Sequence, residues 1–126
     1  PLQPLSRLGD FLALADVHLL PQRADAADLV MPSKLTGMLS SGRPVVAGTR
    51  ADTELGQVVA QCGRLAVPDD AQSFAQAVEE LAGRPLLRQE LGARARAWAE
   101  ENLARDAVLG QFEEALRECA AGARRR

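Results

Sequence analysis

The stretch Pro44-Val45-Val46-Ala47 decides the fold. It is short and β-branched, and Gly42 and Gly48 bound it, which is typical of a central parallel strand. On both sides of it, short apolar runs alternate with amphipathic stretches, and Pro, Gly or Asp stands at each boundary. This alternation is the pattern of repeated βα units. The sequence therefore predicts an α/β fold around this strand.

Two further strands are predicted, one on each side of that stretch along the chain. Residues 16–20 are mostly apolar and end at Pro21, whereas residues 63–67 end at Pro68-Asp69-Asp70. Either of these aspartates can cap the helix that follows. Three parallel strands are therefore expected.

Amphipathic helices are predicted between and after the strands, because apolar residues recur there at spacings of three and four. Ser6 is the predicted cap of the first helix. The second helix runs from about residue 32 to residue 41 and stops at Gly42. The other apolar stripes are Leu8, Phe11, Leu12 and Ala15; Leu55, Val58, Val59 and Cys62; Phe74, Ala77, Val78 and Leu81; Leu87, Leu91 and Trp98; and Val108, Phe112, Ala115 and Cys119.

The resulting order, α-β-α-β-α-β-α-α-α, corresponds to the later half of a doubly wound sheet with strand order 3-2-1-4-5-6. We therefore predict a Rossmann-like three-layer α/β/α arrangement with a partial parallel sheet, in which residues 1–126 form a single partial domain. In that arrangement the first strand has an unpaired edge, which proteins normally cover or pair. We expect marginal stability or a homo-oligomer formed through this edge.

Composition excludes several classes of function. The chain has 126 residues and a formal net charge of −2, so it has no basic field that would gather nucleic acid. Its two cysteines lack the CxxC spacing of a zinc site, and no carboxylate cluster suggests a metal. No apolar run approaches the roughly 20 residues of a spanning helix. We expect a cytoplasmic protein that is at most peripherally attached to a membrane.

The start of the second helix is the candidate binding site. Met31, Pro32, Ser33 and Lys34 begin that helix just after a strand, where unpaired amides and the positive end of the helix dipole favour an anion. Lys34 is the only lysine among 15 basic residues, and it adds a mobile positive charge. The alternative is that Pro-x-Lys merely opens a helix and that the lysine is solvated.

Other polar residues are weaker candidates. Arg23 and Asp28 lie in the preceding loop and either face the same cleft or are plain surface. Glu54 either faces the ligand or complements the dipole of its own helix, with Asp52 or Thr53 near the cap. The lone histidine, His18, lies in an apolar run and is expected to be a packed, hydrogen-bonded core residue. Trp98 is expected in the core or at a domain contact.

Three stretches carry a family resemblance: Ala15-Asp16-Val17-His18-Leu19-Leu20-Pro21, Met31-Pro32-Ser33-Lys34-Leu35-Thr36 and Ser41-Gly42-Arg43-Pro44-Val45-Val46-Ala47. They resemble the C-terminal domain of GT-B-fold, family 4 glycosyltransferases, and most closely the members that build colanic acid and other exopolysaccharides. The similarity continues through residues 63–70 and 91–95, and so covers most of the chain.

The resemblance implies a retaining hexosyltransferase whose nucleotide diphosphate sugar lies in the cleft between two Rossmann-like domains. This chain would be the C-terminal half of the donor-binding domain and inactive alone. An N-terminal domain would hold the glycan or lipid-linked acceptor at the inner face of the membrane. Neither a metal nor another cofactor is expected, and the catalytic residues are not identified.

The chain departs from the family at one pattern. Many members carry two glutamates spaced E-x7-E, and these positions fall on Leu29 and Gly37. The family's recognition of ribose through glutamate therefore cannot be assigned to this chain. The resemblance does assign one role, contact with the donor diphosphate, to Lys34. The candidate residues for the sugar nucleotide are Arg23, Met31, Pro32, Ser33, Lys34, Gly37 and Glu54. The alternatives are a regulatory or scaffolding domain with a degenerate pocket and, as a third reading, a sugar-nucleotide epimerase.

Overall fold

A three-stranded parallel sheet forms the centre of the molecule, in a computed structural model that describes residues 4–23 and 32–123. Strand β1 spans His18–Leu20, β2 spans Val45–Gly48 and β3 spans Gly63–Ala66. The spatial order is β1-β2-β3, which follows the chain. His18 lies opposite Val45 across the first pair, and Val45 lies opposite Gly63 across the second.

Six helices accompany the strands in the described residues. Helix α1 spans Leu8–Ala13 after a 3-10 turn at Leu5–Arg7. The others are α2 (Ser33–Ser40), α3 (Glu54–Cys62), α4 (Ala71–Ala82), α5 (Pro85–Asn102) and α6 (Arg105–Ala123). The order of elements is the predicted one, so the α/β interpretation is confirmed.

The sheet separates two apolar clusters, as a three-layer arrangement requires. On one face, Val45 and Ala47 pack with buried residues of α2, α3 and the second half of α5. On the other face, Val46 packs with Leu81 of α4 and Leu91 of α5. All three β2 side chains are fully buried because the strand is covered on both faces. The prediction of a central strand is confirmed.

The segment before β1 differs from its prediction. Ser6 does not cap a helix, because it lies inside the 3-10 turn, and Arg7 occupies the cap position of α1 without a side-chain hydrogen bond. Strand β1 begins at His18 instead of residue 16. Helix α1 has no buried residue, and Phe11 remains 55% exposed. The apolar spacing was read correctly there, but the described elements cover the stripe only in part: Leu12 lies against α2, whereas Phe11 and Leu8 are exposed.

Strand β1 is an edge strand among the described residues, as predicted, and Leu19 at its centre is half exposed. Association through this edge stays a prediction.

Candidate functional site

The carboxyl ends of the three strands meet at one edge of the sheet, and each leads toward a helix. Doubly wound folds bind ligands at this edge. Helices α2, α3 and α4 follow β1, β2 and β3, so their N-termini lie on the ligand-binding side. The amides at a helix start have no partner within the helix, and what satisfies them decides whether an anion can bind.

The N-termini of α3 and α4 are capped by their own side chains. The Thr53 hydroxyl accepts a hydrogen bond from the amide of Gly56 at 2.9 Å. The Asp70 carboxylate accepts from the amides of Gln72 and Ser73 at 2.9 and 3.0 Å. Of the candidate caps expected from the sequence, Thr53 and Asp70 take the role. These side chains satisfy part of the amides at each helix start, and the carboxylates of Asp70 and of Glu54, in the first turn of α3, add negative charge there, so an external anion gains less at either helix.

The N-terminus of α2 is different. Pro32 occupies its cap position with extended backbone angles (φ −64°, ψ 125°) and cannot cap, since its side chain has no acceptor. The Pro32 carbonyl accepts from the amide of Leu35 at 2.9 Å. The amides of Ser33 and Lys34 have no partner among the described residues, and no acidic residue lies in the first turn. Nothing in the described part of the chain therefore occupies these two amides, and they can bind an anion.

Lys34 and Ser33 are both exposed at this helix start. Within residues 4–23 and 32–123, no carboxylate pairs with the Lys34 ammonium group. The Ser33 carbonyl accepts a hydrogen bond from the Thr36 hydroxyl at 2.8 Å, while the Ser33 hydroxyl has no described partner. Two amides, a hydroxyl and a cation that pairs with none of the described carboxylates thus occur within two residues, and together they suit an anion such as a phosphate.

Two other candidates lie on α2 and α3. Glu54 is the exposed first residue of α3, directly after the capping Thr53, so it is placed to complement the dipole of its own helix. Gly37 lies in the middle of α2, where a Cβ would come within 3.3 Å of the Leu12 side chain of α1. Met31, Asp28 and Leu29 lie outside the described residues.

A cavity of about 540 Å³ opens at the same edge of the sheet, beyond the ends of β2 and β3. Arg23 is the one candidate residue that lines it, and Ser33 and Lys34 do not. The lining residues are Pro21, Gln22, Arg23, Gly48, Val67, Asp69, Asp70, Ala71, Phe74 and Ala75. Sequence reasoning assigned Phe74 to a core stripe and Asp70 to a cap. The sequence signal for a lining role was the Asp69-Asp70 pair, which follows β3 after Val67 and Pro68.

The buried histidine is held in one tautomer. His18 is 8% exposed, and its Nε2 lies 2.9 Å from the Ser41 hydroxyl oxygen. That hydroxyl donates to the carbonyl of Met38 at 2.6 Å, so Nε2 carries the proton that the serine oxygen accepts. Burial, and next the charge of Arg43, lower the pKa of His18 below its usual value. The prediction of a packed, hydrogen-bonded core histidine is confirmed.

The described residues carry few other signs of function. No three of their His, Cys, Asp or Glu side chains lie close enough together to hold a metal ion. None of the helices in the described part of the chain has the length and apolarity needed to cross a membrane. Trp98 is half-buried against the apolar cluster of α2 and α3, which agrees with its expected core position.

Comparison with known proteins finds a relative of the chain. The chain is 37% identical over 115 residues to the "Putative colanic acid biosynthesis glycosyl transferase WcaI" of Escherichia coli (strain K12). The aligned region covers 89% of this chain and 27% of that protein, so the chain spans about a quarter of its relative's length. No family model matches the chain, and no solved structure gives a significant match. The resemblance stated from the three sequence stretches is confirmed.

Proposed function

We propose that this chain, a WcaI-like glycosyltransferase domain, is the part of a glycosyltransferase that binds the sugar nucleotide. Its relative is named as a putative glycosyl transferase of colanic acid biosynthesis, and the chain aligns with about a quarter of it. The reaction of the whole protein is therefore part of the proposal. That reaction is transfer of a sugar from a nucleoside diphosphate to a growing cell-surface glycan.

The open N-terminus of α2 is the observation that carries this proposal. A sugar nucleotide presents a diphosphate, which becomes the leaving group and gains negative charge as the glycosidic bond breaks. Positioned amides and cations that meet this charge favour the transfer. The amides of Ser33 and Lys34 and the Lys34 ammonium group are such a set, and they follow β1 at the edge where this fold binds ligands.

The finer features of the proposal come from the family resemblance. They are a GT-B architecture, retention of the anomeric configuration, transfer of a hexose, and a cytoplasmic enzyme at the inner face of the membrane. Contacts with the glycan or lipid-linked acceptor are assigned to protein outside this chain. We expect this chain alone to bind the nucleotide without transferring the sugar.

Calorimetric titration of the chain with UDP, GDP and their sugars tests the proposal. Lys34→Ala removes the ammonium group, and we expect it to weaken binding by about tenfold or more, since hydrogen bonds to charged groups contribute about 1.5–3 kcal/mol each. Arg117→Ala is the matched control: it also removes one exposed positive charge, but on α6, where Arg117 pairs with Glu113. Equal effects of the two substitutions would contradict a diphosphate contact at Lys34.

A regulatory or scaffolding domain with a degenerate pocket is the second candidate. The observation that favours it is the absence of a carboxylate at Gly37, which lies against Leu12 instead of offering a ribose ligand. A folded sample that binds no nucleotide at millimolar concentration would support this second function over the first.

A further inference from the structure

A second cavity, of about 390 Å³, lies near the N-terminal ends of β1 and β2, away from the proposed nucleotide site. Asp16, which precedes β1, and Pro44, which precedes β2, both line it. It is beyond the C-terminal end of α2, whereas Lys34 is in the first turn of that helix. Since α2 has eight residues, the helix itself separates the two places by roughly 12 Å.

Close contact between α5 and the turn after α2 brings three arginines to this cavity. Gly42 takes a left-handed conformation (φ 71°) in that turn. Gly92 of α5 lies so near that a Cβ on it would be 2.2 Å from the Gly42 carbonyl oxygen and 3.5 Å from the Arg43 Cα. Arg88 and Arg96 stand four residues before and after Gly92, on the same face of α5. Arg43 therefore approaches α5 between them, and all three line the cavity.

The positive charge of this cluster is only partly compensated. Arg43 donates to the backbone carbonyl of Ala13 at 3.0 Å. Arg88 donates to the carbonyls of Leu81 and Ala82 at 2.6 and 2.7 Å. Neither arginine pairs with a carboxylate among the described residues, whereas Arg96 pairs with Glu100 at 2.6 Å and donates to the Ser40 carbonyl at 2.6 Å.

The lining residues supply little negative charge of their own. Asp16 is the one carboxylate among them, and it forms no ion pair within the described part of the chain. Arg43 and Arg88 each use one terminal nitrogen for the carbonyls, so each keeps N–H groups for a further acceptor. Guanidinium groups with spare donors suit the oxygens of a phosphate group.

We propose that this cavity, lined by Arg43, Arg88 and Arg96, is a phosphate-binding site distinct from the site at α2. The ligand is a phosphate group, which either a soluble phosphorylated molecule or a lipid headgroup supplies. The three arginines come from α5 and from the turn after α2, and the close approach of Gly92 to Gly42 fixes these two segments relative to each other. The site therefore exists without rearrangement of the backbone.

Nuclear magnetic resonance titration with inorganic phosphate at constant ionic strength, with chloride as the reference anion, tests the site. We expect saturable shifts of the amides of Gly42, Gly92 and Ala93. Arg43→Gln and Arg88→Gln should each weaken phosphate binding at these amides by about tenfold. Two variants are used because each arginine also binds a helix carbonyl, and circular dichroism verifies that both fold.

Arg94→Gln is the matched control, because Arg94 lies on α5, pairs with Glu90 and does not line this cavity. Lys34→Ala should leave the shifts at this cavity unchanged even where it abolishes nucleotide binding, so the two proposals fail separately. The proposal is overturned if the shifts do not saturate, or if the Arg94 variant weakens them as much as the other two.

Sedimentation with phosphatidylcholine vesicles, with and without phosphatidic acid, identifies the source of the phosphate. Binding to the acidic vesicles that both cavity variants weaken would assign the site to a lipid headgroup. Saturable phosphate shifts without vesicle binding would assign it to a soluble molecule.

Discussion

Giving α2 the cap that α3 and α4 already have should strengthen the helix and close the proposed diphosphate site. Pro32→Asp places a carboxylate at the cap position, whose extended backbone suits a capping residue. Asp70 shows the expected geometry, since its carboxylate accepts from the amides two and three residues later. On α2 the corresponding amides belong to Lys34, which has no described partner, and to Leu35, which already donates to the Pro32 carbonyl. The same change therefore acts on stability and on binding in opposite directions.

The expected changes in the free energies of unfolding and of binding follow from the groups that Pro32→Asp adds and removes. Loss of the proline ring costs about 0.4–1 kcal/mol through the unfolded chain, so Pro32→Ala is the reference. Relative to that reference, the cap contributes about 1 kcal/mol and the interaction of the carboxylate with the helix dipole about 0.5 kcal/mol. Binding of a diphosphate should weaken by about 1.5–3 kcal/mol, or roughly 10- to 150-fold, because the carboxylate occupies an amide and repels the ligand.

Urea unfolding followed by circular dichroism measures the first effect, and calorimetric titration with UDP or GDP measures the second. We expect Pro32→Ala to bind like the parent chain, and Pro32→Asp to be more stable than Pro32→Ala but to bind roughly 10- to 150-fold more weakly. If the aspartate variant gains stability and still binds normally, the nucleotide does not use these amides. If it gains no stability, the amides already have a partner and the site is not open.

Three further predictions concern the rest of the molecule. Cys62 is buried, which raises its pKa to about 11, whereas Cys119 is exposed. A thiol reagent at pH 8 should therefore modify Cys119 alone in the native chain and both cysteines in denaturant. The pKa of His18 is lower in the folded chain, so the unfolded chain takes up the proton at a higher pH than the folded chain does. The free energy of unfolding should therefore have its full value above pH 6.5 and fall below that pH. His18→Gln should make the free energy of unfolding depend less on pH between pH 7 and 5.5. Gly92→Ala should destabilise the folded chain by about 1–3 kcal/mol, because the added Cβ meets a backbone oxygen at 2.2 Å. Gly110→Ala is the control: it has open space around it and should stabilise α6 by about 0.5–1 kcal/mol. Urea unfolding measures both effects.

The sequence was sufficient for the order of the elements because their boundaries are chemical. Gly42 ends α2 in a left-handed conformation that glycine adopts readily. Pro32 marks the helix start to within one residue: the sequence predicts it in the first turn, whereas it occupies the cap position directly before Ser33. Residues 45–47 are apolar without alternation, as a strand covered on both faces requires. Local chemistry and tertiary packing agree at these places, and there the prediction succeeded.

Before β1 the local signals did not decide the structure. Ser6 is a good cap by type, but the backbone turns tightly at Leu5–Arg7, and the helix begins afterwards. The apolar spacing around Phe11 marks a helix correctly and says nothing about whether another element covers it. Burial of a side chain depends on which other elements pack against it, and the residue spacing within one segment carries no information about those elements.

The candidate site was predictable in part. The helix start after β1 and the exposed cation at Lys34 could be read from the chain, because they depend on neighbouring residues only. The cavity lined by Arg43, Arg88 and Arg96 could not be predicted, because it forms where Gly92 contacts the turn at Gly42, fifty residues earlier in the sequence. The cavity above β2 and β3 likewise depends on how α4 leaves the sheet beside Phe74.

The match between strand order and chain order has a consequence for how the chain acquires its structure. Each strand pairs with the one made just before it, so every crossover closes a short loop, and no pairing waits for a distant segment. Folding rates rise when contacts are local in sequence, because less loop entropy is lost before contacts form. During synthesis, β1 can pair with β2 as soon as α2 has formed between them. Strand β3 can then pair with the free edge of β2. The strand order therefore allows the sheet to grow in the direction of translation.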